Sequence, residues 1–226
     1  MTTQIESNLT FETKKQLTSF INFFLEYNKE VNLSSLKTFE KLWVSQVIDS
    51  LFALEFYELK NKTVLDIGSG GGFPGIVLAI TCPKTHFTLL DSNNKKTTFL
   101  QKVVDYLGLK NVSIINERIE TATLKKESFD FISAKAVAPL NILVELSAKY
   151  LKVGGQTIFY KGPNYINELP PDEEYLKQKL GLILEQIYAY EGKEKVCFTL
   201  ICFSKAQKTK IIYPRLFQQI KKTPLY

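Results

Sequence analysis

The sequence predicts an α/β fold of Rossmann-like type, a mostly parallel sheet covered on both faces, with a helical extension in front of it. Three observations carry that expectation. From residue 63 onward short apolar runs alternate with helical stretches, the pattern of a parallel sheet with crossover helices. The first apolar run passes straight into a glycine-rich turn, TVLDIGSGGGFPG at 63–75. The first sixty residues, by contrast, show only helical periodicity.

In the extension, Leu17, Phe20, Ile21, Phe24 and Leu25 recur at the spacing of an amphipathic helix, and their role is core packing. A second helix is predicted over Leu42 to Tyr57, with Trp43, Val47, Leu51 and Leu54 on one face. Between them YNKEVNLSS, residues 27–35, reads as a polar surface loop. The chain therefore divides into an extension at 1–60, a main domain at 61–204 and a basic tail at 205–226.

Within the main domain Val64, Leu65 and Ile67 make a buried strand, and Gly68, Gly70, Gly71 and Gly72 let the backbone turn sharply beside a ligand. Pro74 suits the opening of a helix over Gly75 to Cys82, which Pro83 stops. The next strand, His86 to Leu90, ends in Asp91, twenty-five residues after Asp66. A helix follows from Asn93 to Leu107, stopped by Gly108. Strands are predicted at Val112 to Ile115 and Phe129 to Ser133, then a helix from Leu140 to Leu151, then a Gly154–Gly155 turn into a strand at Gln156 to Tyr160. Leu182 to Tyr190 and Val196 to Phe203 read as a hairpin about Gly192. A ligand belongs at the carboxyl ends of the parallel strands, where Asp66, Asp91, Glu120 and Lys135 would gather.

An acid at the end of the second strand is placed to accept from ribose hydroxyls, which points to an adenosine-containing cofactor. Gly70, Gly72 and Gly75 also satisfy the dinucleotide pattern G-x-G-x-x-G. Asp66 decides between the two. A carboxylate two residues before the first glycine suits a cationic ligand, while the diphosphate of NAD or FAD wants bare N–H groups at the helix start. Asp66, Gly68, Gly70 and Asp91 therefore favour S-adenosylmethionine, whose sulfonium and amino group are positive.

Composition bounds the class. The chain has 226 residues, 45% of them apolar, and no apolar run near the eighteen or so needed to cross a bilayer. MTTQIESNL lacks the order of a secretory signal, and three cysteines with no C-x-x-C pair suit a reducing compartment, so a cytoplasmic location is expected. Cys82, Cys197, Cys202 and the single His86 form no metal-binding pattern. The net charge of +6 lies entirely in the tail, in Lys205, Lys208, Lys210, Arg215, Lys221 and Lys222. Tyr213, Phe217 and Tyr226 are interleaved with them, a composition suited to phosphates and stacked bases. A solvated basic terminus is the alternative reading.

Taken together these segments resemble the RsmG family, also called GidB, bacterial methyltransferases that act on guanine N7 of small-subunit ribosomal RNA. The resemblance rests on YNKEVNLSS, IDSL at 48–51, LDIGSGGGFPGI at 65–76, LLDSNNKK at 89–96, ERIE at 117–120, AKAVAPL at 134–140, YKG at 160–162 and YPR at 213–215. It implies a class I S-adenosylmethionine-dependent methyltransferase whose partner is small-subunit ribosomal RNA or the 30S particle, and a monomer is expected. It implies further that Gly68 and Phe73 contact the donor, that Ile119 and Glu120 sit near its adenine, and that Lys135 lies close to it. Lys161, Lys208, Lys210, Arg215, Lys221 and Lys222 are then the candidates for contact with RNA. The family usually has arginine where Lys135 stands, and lysine lacks the planar fork. It often has histidine where Gln46 stands.

The chemistry agrees with that resemblance. A cytosine C5 enzyme of the usual kind needs a nucleophilic cysteine, and none occurs between Cys82 and Cys197. AKAVAPL is not the N-P-P-Y-like turn of an adenine N6 enzyme. Guanine N7 has a free lone pair and no proton to lose, so its methylation requires alignment and no general base. The alternatives are a methyltransferase acting on another RNA, a protein or a small molecule, a dinucleotide oxidoreductase, and a non-enzymatic RNA-binding module.

Overall fold

The computed structural model describes residues 2–31, 33–191 and 197–226. Seven strands form one sheet in the order β3-β2-β1-β4-β5-β7-β6. They are β1 (Thr63–Ile67), β2 (His86–Leu90), β3 (Val112–Ile115), β4 (Phe129–Lys135), β5 (Leu151–Lys161), β6 (Leu182–Glu191) and β7 (Cys197–Lys205). The first five are mutually parallel, and β7 runs antiparallel to both β5 and β6. The predicted pairing of the last two strands is present, and its Gly192 turn lies outside the described residues.

The sheet separates two apolar cores because successive strand residues face opposite sides. Val64, Phe87 and Leu89 face one core, where helices α2 (Phe11–Val31), α5 (Gly75–Thr81) and α6 (Asn94–Leu107) pack. Leu65 and Ile67 face the other, with α7 (Leu140–Ala148), α8 (Glu173–Leu180) and α9 (Phe217–Lys222). The short helix α1 (Thr2–Ser7) precedes α2. Leu17, Phe20, Ile21 and Phe24 of α2 are buried, as the helical spacing requires. Asn93 caps α6 and Gly108 ends it in the left-handed region, φ 64°.

The structure corrects four local readings. Helix α2 continues to Val31, into the segment read as loop, because buried Asn28 satisfies its amide locally, donating to Ser34 O and accepting from Ser34 N at 3.0 and 2.9 Å. The second helix of the extension is a mixed run, α3 (Phe39–Leu42), a π-helical stretch Trp43–Ile48, α4 (Asp49–Leu51) and a 3₁₀ turn Phe52–Glu55. Helix α7 ends at Ala148, and β5 begins at Leu151 and includes both Gly154 and Gly155. Those glycines make a bulge where Phe129 pairs with Leu151 but Phe131 with Gln156, and a Cβ on Gly155 would come within 2.8 Å of Asp130 O.

The fourth correction concerns the tail. Lys205 closes β7 and is buried, its ammonium donating to Ala148 O and to Thr209 Oγ1. Tyr213 and Ile220 are buried with α7 and α8. Residues 206–226 thus wrap the second core as an ordered part of the fold.

Candidate functional site

The cleft lies where the parallel strands end. Gly68 N and Ser69 N donate to Leu90 O at 2.7 and 3.1 Å, which pins the glycine turn to the end of β2. Asp91, just beyond that end, accepts from Gly70 N at 3.0 Å and from Asn93 N at 2.8 Å, and the Lys96 ammonium lies 4.0 Å away. Asp91 thereby fixes the turn and the opening of α6 together.

Asp66 stands behind this turn and is not among the residues that line the cleft cavities described below. It is fully buried, and its Oδ1 accepts from Ser133 Oγ at 2.7 Å. Oδ2 faces Gly75 at the start of α5, where a Cβ would lie 2.7 Å from it, and makes no hydrogen bond of ordinary geometry. Burial pushes the carboxyl up to about 6, against the pull of Ser133, Ser69 and the Gly75 backbone.

Three cavities meet in the cleft. The inner one, about 260 Å³, is lined by Gly68, Asp91, Ile119, Glu120 and Val137 among others. The loop cavity, about 230 Å³, lies over Gly68–Gly71 and Phe73, with Gln46, Lys96 and Lys135 on its sides. The outer cavity, about 560 Å³, lies between the helical run 39–55 and the segment after β5. Ala136 lines all three and has φ 56°, a left-handed conformation uncommon for a residue with a Cβ.

Each wall has a local cause. Tyr150 Oη donates to Ile119 O and Ala122 O at 2.8 and 3.1 Å, holding the 3₁₀ turn Ile119–Thr121 against the inner cavity. Arg118 Nε donates to Glu120 Oε1 at 2.5 Å, and its guanidinium lies 5.0 Å over the Phe217 ring. At Gly68 an added Cβ would come within 2.7 Å of Val137 Cγ2, so glycine keeps the inner cavity open. Lys135, at the end of β4, donates to Ser45 O at 3.1 Å and pairs with Asp49 Oδ2 at 2.5 Å.

The structure therefore brings together most of the residues nominated from sequence. Gly68, Asp91, Ile119 and Glu120 line the inner cavity, and Gly68, Gly70, Phe73 and Lys135 line the loop cavity. Lys161 lines the outer cavity and is paired with Glu168 Oε2 at 2.5 Å. The tail cations do not share one surface. Lys208 and Lys210 lie with Lys126 and Lys149 around a cavity at the amino ends of β4 and β5, opposite the cleft. Arg215 Nη2 is held 2.6 Å from buried Glu145 Oε2. Lys221 and Lys222 are exposed at the end of α9. Sequence reasoning gave no role to Lys96, Ala136, Val137 or Glu168. Asp49 was visible only as part of IDSL.

The inner and loop cavities suit S-adenosylmethionine. Together they fall in the usual small-molecule range of about 300–1,000 Å³, and they adjoin through Gly68, Lys96 and Ala136. Asp91 offers carboxylate oxygens beside an apolar wall of Leu90 and Ile119, the pairing a ribose and its adenine require.

Fold and cleft together define a Rossmann-like class I S-adenosylmethionine-dependent methyltransferase. A crystal structure of such an enzyme from Aquifex aeolicus has TM-score 0.56 at 20% identity, covering 76% of this chain and 97% of that one. The crystal structure of M. jannaschii TYW2 in complex with AdoMet gives TM-score 0.53 at 18% identity over 68% and 74% of the two chains. Those likenesses concern the fold. Residues 13–196 match the model of the GidB family, rRNA small subunit methyltransferase G. The ribosomal RNA small subunit methyltransferase G of Mycoplasma capricolum is 36% identical over 211 residues, 93% of this chain and 91% of that protein. Its counterpart from Thermotoga sp. (strain RQ2) is 40% identical over 195 residues, 86% and 84% of the two. The chain belongs to the rRNA small subunit methyltransferase G family.

Proposed function

We propose that this protein transfers a methyl group from S-adenosylmethionine to N7 of a guanine in small-subunit (16S) ribosomal RNA. The meeting of three cavities at Ala136 supports the reading most directly: two over the glycine turn suit the donor, and a larger one opens beside them for an acceptor. When bound, the donor supplies a methyl group on a positively charged sulfur.

The work of the chain is placement. Asp91 accepts from ribose hydroxyls while holding the Gly70 amide, and Ile119 and Leu90 flank the adenine. Gly68, Gly70 and Phe73 shape the floor beneath the methionine portion, beside Lys96 and Lys135. N7 carries its own lone pair, so no side chain has to remove a proton before transfer, and preorganised alignment is the source of rate. In A-form RNA the N7 edge lies in a deep, narrow groove, so the target guanine must leave a helix or stand in a loop to enter the cleft. Exposed Lys221 and Lys222, at the end of the helix whose Phe217 lines the inner cavity, meet phosphates.

The test is labelled methyl transfer from the donor to isolated 30S particles and to naked 16S RNA, with mass spectrometry of the digested RNA. N7-methylguanosine is the expected product. Label found only in protein, in another nucleoside or in neither substrate would overturn the reading.

A further inference from the structure

Resting on that reading, we infer that the outer cavity receives the acceptor base and that Glu168 recognises it as guanine, its carboxylate accepting from N1–H and the 2-amino group. The outer cavity shares Gln46, Lys135 and Ala136 with the loop cavity, so whatever fills it faces the donor across Ala136. Tyr165 and Phe198 give it partly buried aromatic walls, and base–aromatic stacking is worth about 1–3 kcal/mol.

The cavity lining includes two lysine–carboxylate pairs, each at 2.5 Å: Lys135 with Asp49, and Lys161 with Glu168. Of the four side chains Glu168 is the most accessible, 28% exposed against 3–12% for Asp49, Lys161 and Lys135, so its carboxylate is the one open to a ligand. Lys161 also donates to Ala138 O at 3.1 Å, fixing its ammonium between the two walls. Glu168 Oε2 takes both Lys161 and the Leu140 amide, the latter at 2.7 Å. Among the described residues Oε1 accepts no hydrogen bond, and Glu168 lines the cavity.

Guanine presents two chemically opposite edges. O6 and N7 accept, whereas N1–H and the 2-amino group donate. A guanine seated with N7 toward the donor brings its donating edge to the Glu168 carboxylate, which lines the same cavity as Ala136. Adenine would present the lone pair of N1 there, and a carboxylate repels it. Inosine would offer N1–H alone.

The experiment is calorimetric and NMR titration of the full chain, saturated with S-adenosylhomocysteine, using guanosine, inosine and adenosine 5′-monophosphates. The wild type should bind the guanine nucleotide about tenfold more tightly than the inosine one, the value of one charged hydrogen bond, and the adenine one more weakly still. Glu168→Gln keeps an acceptor for the Leu140 amide and should remove the guanine preference while leaving S-adenosylmethionine affinity within about twofold. Its kcat/KM on 30S particles should fall about tenfold or more. Equal binding of the three nucleotides by the wild type, no binding of any, or an unchanged preference in Glu168→Gln overturns the inference. If the wild type still methylates guanine N7 in those cases, the functional reading stands alone; if it binds no donor, that reading fails first.

Discussion

The Lys135 ammonium lies 2.5 Å from Asp49 Oδ2, joining the end of β4 to the helical extension. Asp49 is only 3% exposed and Lys135 12%, and the same ammonium donates to Ser45 O. This pair, with the hydrogen bond from Tyr160 Oη to Ser50 O at 2.7 Å, holds the outer cavity's two walls at a fixed separation.

Lys135→Ala removes the cation beside a buried carboxylate and should cost about 3 kcal/mol or more in urea unfolding. Lys135→Arg keeps the charge beside Asp49 and should lie within about 1 kcal/mol of the wild type. A loss below about 0.5 kcal/mol in the alanine variant would show that the pair does not hold the extension.

Asp66 predicts a pH dependence. Burial raises it from an ordinary 3.8 to about 6 in the folded chain, so the native state binds this proton more tightly than the unfolded state. Its contribution to stability is therefore complete below about pH 4 and is lost as pH rises through about 6, up to about 3 kcal/mol. Asp66→Asn should flatten that part of the stability curve and be more stable than the wild type at pH 7. Parallel curves for the two proteins between pH 4 and 7 would refute this.

Asp91→Ala should weaken S-adenosylmethionine binding by at least about tenfold, since a hydrogen bond to a charged group is worth about 1.5–3 kcal/mol and the Gly70 amide loses its acceptor as well. Calorimetry with NAD as the control ligand reads the result. Unchanged donor affinity would remove Asp91 from the site.

The tail separates by charge position. Lys221→Gln with Lys222→Gln should lower the salt slope of RNA binding by about 1.4, from about 0.7 per single-strand phosphate contact. Lys208→Gln with Lys210→Gln should leave the slope unchanged, because those residues lie at the opposite ends of β4 and β5. Arg215→Ala should act on folding, by about 3 kcal/mol or more, through the loss of Glu145's partner. Equal slopes for both lysine pairs would contradict the division.

What the sequence displayed well was whatever a local period or turn encodes. The strands at Val112–Ile115 and His86–Leu90 and the glycine stop at Gly108 follow directly from residue type and spacing. The capping signals of α8, Asp172 before it and Gly181 after it, were equally local, but the helix went unassigned. What composition could not show is three-dimensional neighbourhood. The +6 of the tail is one number in sequence, yet in space Lys205 is buried, Arg215 is paired, Lys208 and Lys210 lie at the amino ends of β4 and β5, and Lys221 and Lys222 are exposed at the end of α9. Likewise Gly154–Gly155 reads as a turn until the pairing with Phe129 and Phe131 makes it a bulge.

The aromatic floor of the glycine turn has a wider consequence. Added Cβ atoms on Gly71 and Gly72 would meet Phe24 at 2.7 Å and Phe20 at 3.0 Å, and Phe73 stacks obliquely on Phe20 with ring centroids 5.1 Å apart. Helix α2 is thus the underside of the donor's seat, and detaching it collapses the seat. Occupancy and docking of the first sixty residues are then thermodynamically linked, a saturating ligand at a hundred times its Kd opposing their release by about 2.7 kcal/mol. Protection of this extension from a nonspecific protease should therefore rise as S-adenosylmethionine is added.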